Sequence, residues 1–249
     1  MKGLHYIRAG AGAKKILFVH GNLASANWWA PIMELLQAQF DMVAVDLRGF
    51  GKSQASPAQV SLQDHAQDIA NLVKDLDFTD FTIVGHSLGG AVAMQMGASF
   101  PELLSAMVLV DSAPLTGMKD INYALLEQLL QNDTILTASL QGTMAMPVPQ
   151  AVLEVLQADC LQAKAALIPN TRALDGIDFS RAARSFLKPV LVVHGENDVI
   201  VTVNEAHNTA AVYPNSRIEV LPGVGHNPQI ENPPLFARLL AEFLTCPKV

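Results

Sequence analysis

What most constrains this chain is a series of short apolar runs rich in Val, Ile, Leu and Phe, at residues 15–19, 42–45, 81–84, 106–110, 189–193 and 217–221. Each has the length of a strand and lacks clean polar alternation, the pattern of strands buried on both faces inside a parallel sheet. Between them, residues 28–39, 62–76, 88–99, 203–213 and 234–244 carry the periodicity of helices. Strands alternating with helices predict an α/β, doubly wound, mostly parallel sheet flanked by helices, with residues 4–8 as an extra edge strand. A chain of 249 residues, half of them apolar, suffices for one large core with at most a small appended subdomain.

The alternation lapses between residues 115 and 187, where helical patterns at 122–130 and 152–166 flank the stretch 144–149. The expected organisation is a core built from residues 1–114 and 188–249, carrying an inserted helical cap over 115–187. An insertion at the carboxyl end of a strand overlies the place where open parallel sheets bind ligands, so it is expected to act as a separable lid.

The chemistry concentrates where the run at 81–84 passes into Gly85-His86-Ser87-Leu88-Gly89 and then into a helical pattern. A G-x-S-x-G sequence in strand–turn–helix context projects its serine at the top of the sheet, with glycines where a Cβ would strike neighbouring backbone. A serine hydroxyl needs a base, and the base needs a group to orient it. In this arrangement the order is Ser, acid, His, which selects His226 after the last strand and Asp198 after the run at 189–193. Asp111, at the end of the run at 106–110, is a second strand-end carboxylate, and Asp198 is preferred because it sits in a G-x-x-D turn. The oxyanion is expected to be held by the backbone N–H of Leu88, at the start of a helix, and that of Asn22, in the loop after the first core strand.

With these residues in place, the chain resembles the α/β-hydrolase superfamily over nearly its whole length, from His20-Gly21-Asn22 to His226. Asp46-Leu47-Arg48-Gly49-Phe50-Gly51-Lys52-Ser53 is similar to the D-x-R-G-x-G-x-S loop of that superfamily, and the helical insertion resembles its cap. The resemblance implies a serine esterase or lactonase using Ser87, Asp198 and His226. A serine nucleophile separates the chain from the related epoxide hydrolases and haloalkane dehalogenases. A C–C bond hydrolase, a hydroxynitrile lyase and a ligand-sensing receptor with vestigial activity remain open on the same triad. The expected partner is a small-molecule ester-type substrate, and Leu23, Trp28, Trp29, Met144 and Met146 are candidates for an apolar pocket wall.

Composition narrows the other classes. Sixteen Lys and Arg against 23 Asp and Glu give a net charge of −7, which lacks the basic footprint of a nucleic-acid-binding domain. No apolar stretch reaches the ~20 residues needed to span a bilayer, and the N-terminus has no signal-peptide pattern, so a cytoplasmic location is expected. The two cysteines, Cys160 and Cys246, have no metal-ligand spacing, so neither a structural zinc nor a disulfide framework is expected. No metal or organic cofactor is implied by the triad. Gly51-Lys52-Ser53 resembles the end of a P-loop, but Asp46 stands where that motif requires glycine. His20 and His86 are expected to pack around the site, and His5, His65 and His207 to lie on the surface or on helix faces. The sequence carries no signal for oligomeric state.

Overall fold

The computed structural model describes residues 3–53 and 59–246; the outermost residues assigned to the core, 1–2 and 247–249, lie outside them. Seven strands form one sheet: β1 (Tyr6–Ala9), β2 (Lys14–Val19), β3 (Phe40–Val45), β4 (Phe81–His86), β5 (Leu104–Val110), β6 (Val190–Gly195) and β7 (Ser216–Leu221). Their spatial order is β1-β3-β2-β4-β5-β6-β7. Only β1 runs antiparallel, along β3, and every other pairing is parallel. The expected edge strand is therefore present, beginning two residues later than the sequence pattern suggested.

Side chains of each central strand alternate between two apolar layers. Leu17 and Val19, Val43 and Val45, and Val190 and Val192 pack with α2 (Leu62–Asp75), α3 (Leu88–Ser99) and α9 (Val203–Val212). The intervening Ile16 and Phe18, Met42 and Ala44, and Leu191 and Val193 pack with α1 (Ala30–Leu36) and α11 (Pro233–Thr245). Burial of strands on both faces explains why their sequences are apolar throughout. It also leaves the carboxyl edge of the sheet as the place where polar side chains can gather.

The expected helix at 28–39 is divided. Ser25 caps a 3-10 turn, Ala26–Trp29, by accepting the N–H of Asn27, and α1 starts only with Pro31 in its first turn. Between β5 and β6 lie α4 (Tyr123–Leu130), α5 (Asp133–Gln141), α6 (Gln150–Gln162), α7 (Lys164–Arg172) and α8 (Ser180–Ser185), with no strand among these described residues. The single helix expected at 152–166 is thus two, broken at Ala163, while α5 and α8 were not foreseen. No described helix is long and apolar enough to cross a membrane.

The inserted helices are bonded into the sheet layers. Ala163, Ala166, Leu174 and Phe179 belong to the same apolar cluster as α2 and α3. Asp159 of α6 accepts from Ser25 Oγ at 2.6 Å and from the side-chain amide of Asn27. His65, expected on the surface or on a helix face, lies on α2 and is fully buried, with Nε2 2.6 Å from Asn170 Oδ1 of α7. The helix pattern placed His65 correctly on α2, but α7 covers that face, and no sequence period reports such a contact.

Candidate active site

Ser87 sits between β4 and α3 at φ 52° and ψ −116°, a region that a residue with a Cβ enters only at a cost. Three backbone hydrogen bonds hold it there: Ser87 N–H donates to Val110 (3.0 Å), and its carbonyl accepts from Gly90 (2.9 Å) and Ala113 (3.1 Å). The flanking glycines are steric requirements. A Cβ on Gly85 would meet the carbonyl of Gly89, and one on Gly89 the carbonyls of Val19 and His20. Ser87 is thereby set at the mouth of the sheet beside Gly21, whose own Cβ would lie 3.0 Å from that of Ser87.

His226 and Asp198 arrive from the ends of β7 and β6. His226 Nδ1 lies 2.7 Å from Asp198 Oδ2, and a carboxylate can only accept, so Nδ1 carries the proton and Nε2 is free to act as a base. Asp198 Oδ1 also takes the N–H groups of Ile200 (2.7 Å) and Val201 (3.1 Å). Burial pushes the Asp198 carboxyl up, but the bond and charge of His226 and the two backbone donors together hold it down, to about 2. The histidine ring packs against that of His86 with centroids 4.9 Å apart and planes tilted by 53°. His86 in turn donates Nε2–H to the carbonyl of His226 at 2.8 Å, and burial draws its pKa down to about 3.

Of the two expected oxyanion donors, Leu88 follows Ser87 in the chain and Asn22 follows Gly21, whose Cβ position lies 3.0 Å from Ser87 Cβ. Leu88 opens α3, where the first N–H groups of a helix have no partner within it. Neither Leu88 N–H nor Asn22 N–H is engaged by another described residue. The loop that presents Asn22 is pinned by His20, whose Nδ1 lies 2.7 Å from the carbonyl of Gly21 while Nε2 accepts the N–H of Leu47 at 3.0 Å. His20 is neutral, its pKa lowered to about 4 chiefly by burial. Asp46 closes the adjoining loop by accepting the N–H groups of Ala26 and Lys52. The D-x-R-G stretch is therefore tied to the loop that carries Asn22 through His20 and Ala26.

The profile described as the Alpha/beta hydrolase family matches residues 16–239. The chain belongs to this family. An uncharacterised protein of Mycobacterium tuberculosis is 29% identical over 95% of the hydrolase and 76% of its own length. The 2-(acetamidomethylene)succinate hydrolase of Mesorhizobium japonicum is 27% identical over 96% of this chain and 90% of its own. Among solved structures, an esterase from Exiguobacterium antarcticum superposes with a TM-score of 0.88 at 20% identity, covering 97% of this chain and 95% of that one.

Two of the five expected pocket residues of this hydrolase lie elsewhere. Trp29 is fully buried, stacked at 4.8 Å on Phe18 in the layer of α1 and α11. The 3-10 turn sends Trp28 and Trp29 to different sides, a divergence that a continuous helix would not have produced. Met146 packs on that same layer. Trp28 and Met144 instead share a small apolar cluster with Ala24, Leu156 and Ile230, and the Trp28 ring lies 6.3 Å from that of His86. Leu23, at φ 59°, is half-buried against the α2–α3 layer.

Glu231, which the sequence reading missed, fastens the His226 loop to the insertion. It ends the short helix α10 (Pro228–Glu231), and its buried carboxylate accepts the N–H groups of Gly225 and Asn227, on either side of His226, at 2.9 Å each. It also accepts those of Ala145 and Met146 at 2.8 and 2.9 Å. The N–H of His226 donates to Thr143 at 2.9 Å. The only sequence signal was an acid five residues after the histidine, and nothing local shows that two of its partners are backbone groups more than eighty residues away. Glu231→Ala strands these donors in a buried site, and is expected to destabilise the fold by about 3 kcal/mol. For a chain of this length that lowers Tm by roughly 10 °C in a thermal melt.

Proposed function

We propose that this hydrolase cleaves a carboxylic ester, thioester or lactone with a small, largely apolar acyl group, through an acyl-enzyme on Ser87. The reading is carried by a serine on a strained strand-to-helix turn and by the 2.7 Å bond between His226 and Asp198, with the ring of His86, the residue before Ser87, 4.9 Å from that of His226. Ser87 Oγ attacks the carbonyl carbon as His226 Nε2 takes its proton, and Asp198 stabilises the imidazolium that forms. The N–H groups of Asn22 and Leu88 bind the carbonyl oxygen as its charge develops. The tetrahedral intermediate collapses by expelling the alcohol or thiol, which takes the proton from His226. Water then repeats the sequence on the acyl-enzyme, releasing the acid and restoring Ser87.

The insertion 115–187 supplies the cap in this reading, with Trp28, Met144 and Leu23 as the apolar wall. Its attachment through Thr143 and Glu231 makes it part of the histidine loop as well as a cover. Replacing residues 144–149 by a Gly/Ser linker is therefore expected to change KM and also to slow reaction of Ser87 with a small fluorophosphonate. Labelling at the wild-type rate in a cooperatively melting variant would show that the stretch acts as a cover only.

The deciding experiment combines that fluorophosphonate, with the modified peptide located by mass spectrometry, and a panel of p-nitrophenyl esters, thioesters and lactones. The expected result is a single adduct on Ser87 and continuous turnover of short acyl chains. Labelling without turnover of any member of the panel would overturn the ester assignment. Labelling at another residue would overturn the mechanism.

A further inference from the structure

Asp111 stands at the carboxyl end of β5 with its side chain wholly buried and its backbone at φ 39°, a conformation unusual for an aspartate. One of its oxygens, one oxygen of Asp198 and one ring nitrogen of His226 lie within 4.8 Å of one another. Asp111 Oδ1 accepts the N–H of Gly195 at 2.9 Å. Asp111 Oδ2 is buried and has no donor among the described residues.

The titratable groups around it offer no compensating proton. His194 of β6 has Nε2 3.0 Å from the carbonyl of Val201, a bond in which the ring nitrogen must be the donor, so the neutral ring turns a bare Nδ1 toward Asp111 Oδ1 at 3.3 Å. His194 is kept from charging mainly by burial. Asp198 already accepts from His226, Ile200 and Val201, and Glu231 adds a further carboxylate held by backbone donors. His226 spends its Nδ1 proton on Asp198, and His86, on β4, is neutral. Gly195 N–H is the one hydrogen-bond donor that Asp111 has among the described residues. A second negative charge in such a place, beside Asp198 and without a cation, is strongly disfavoured.

We infer that Asp111 is held as a neutral carboxylic acid whose O–H donates to Asp198, and that it is a positioning residue for the acid–base pair. One proton turns an acceptor-against-acceptor contact into a hydrogen bond, braces the Asp198 carboxylate where it meets His226, and leaves one negative charge to orient the imidazole. Burial first, and then the Asp198 charge, hold the Asp111 carboxyl well above the usual carboxylate range. Gly195 N–H opposes the rise, while the bond to Asp198 and the charge of Glu231 add to it. Two carboxyls in one site are thus driven to opposite protonation states. The catalytic consequence rests on the triad proposed above; the protonation of Asp111 does not.

The sign of the pH dependence follows. The folded chain binds a proton at Asp111 that the unfolded chain releases above its ordinary range, so this group makes stability fall as pH rises toward the elevated folded pKa. Asp111→Asn, which stays neutral and keeps a donor, escapes that loss. Its Tm is therefore expected to gain on wild type steadily from about pH 5 to about pH 8. The wild-type minus Asp111→Asn infrared difference spectrum at neutral pH is expected to carry the C=O band of a protonated carboxyl.

The pH dependence of Ser87 labelling by a fluorophosphonate supplies the functional arm. Asp111→Asn is expected to leave the midpoint of the profile in place, because no charge is removed. Asp111→Ala is expected to lower kcat about 10- to 100-fold, the scale of a lost hydrogen bond to a charged group, with most of the loss recovered in Asp111→Asn. Absence of the infrared band, a constant Tm difference, or a midpoint lowered by about one pH unit or more in Asp111→Asn shows Asp111 to be ionised and overturns the inference. Wild-type kcat in Asp111→Ala overturns the positioning role. If Asp111→Ala does not fold, an Asp111→Asn kcat more than about 100-fold below wild type does the same. If wild type does not react with the fluorophosphonate, the triad reading fails, and the infrared band and the Tm trend still decide the protonation.

Discussion

Ser87→Ala is expected to lower kcat toward any ester substrate by about 10⁴- to 10⁶-fold while leaving the circular dichroism spectrum and Tm near those of wild type. The asymmetry follows from the turn. Alanine meets the same backbone restriction as serine at φ 52°, and the bonds from Val110, Gly90 and Ala113 to residue 87 are made by its main chain. The substitution removes the attacking oxygen and little else. Activity above about a tenth of wild type, in protein free of wild-type contamination, would mean that another residue performs the attack.

Asp198→Asn is expected to cost about 10⁴-fold in kcat. An amide placed against His226 Nδ1 can present its NH₂, which favours the tautomer with the proton on Nε2, the nitrogen that must accept from Ser87. It also removes the charge that stabilises the imidazolium. The two carboxyls are separated by comparing this variant with Asp111→Asn, which replaces a neutral acid by a neutral amide and should do far less. A larger loss in folded Asp111→Asn than in Asp198→Asn would transfer the orienting role to the end of β5.

The parts of this molecule legible in its sequence are those whose physics is local. The helix behind Ser87 was bounded correctly at Leu88–Ser99, because the glycines and the apolar strand before it leave the chain few alternatives. Asp198 and His226 could be selected from the order Ser, acid, His along the strand ends, with the G-x-x-D turn favouring Asp198 over Asp111, and they meet. Trp29 was misplaced because one continuous helix was read where Ser25 and Pro31 divide the segment. Helix α5 escaped notice since it buries only Leu136, leaving no apolar stripe to detect. Glu231 and Asp111 were harder for a different reason: their roles depend on which distant groups surround a buried carboxyl, and chain spacing does not encode that.

The attachment of Thr143, Ala145 and Met146 to the loop bearing His226 bears on how such a chain can diversify. A graft that exchanges residues 115–187 for those of a relative would carry away half of a brace whose other half, Gly225 to Glu231, stays behind. Chimaeras cut at those borders should lose activity even when the donor insertion folds, unless the histidine loop is transplanted with it. The segments that covary in working recombinants would then mark the true exchangeable unit, and that unit is discontinuous in the chain.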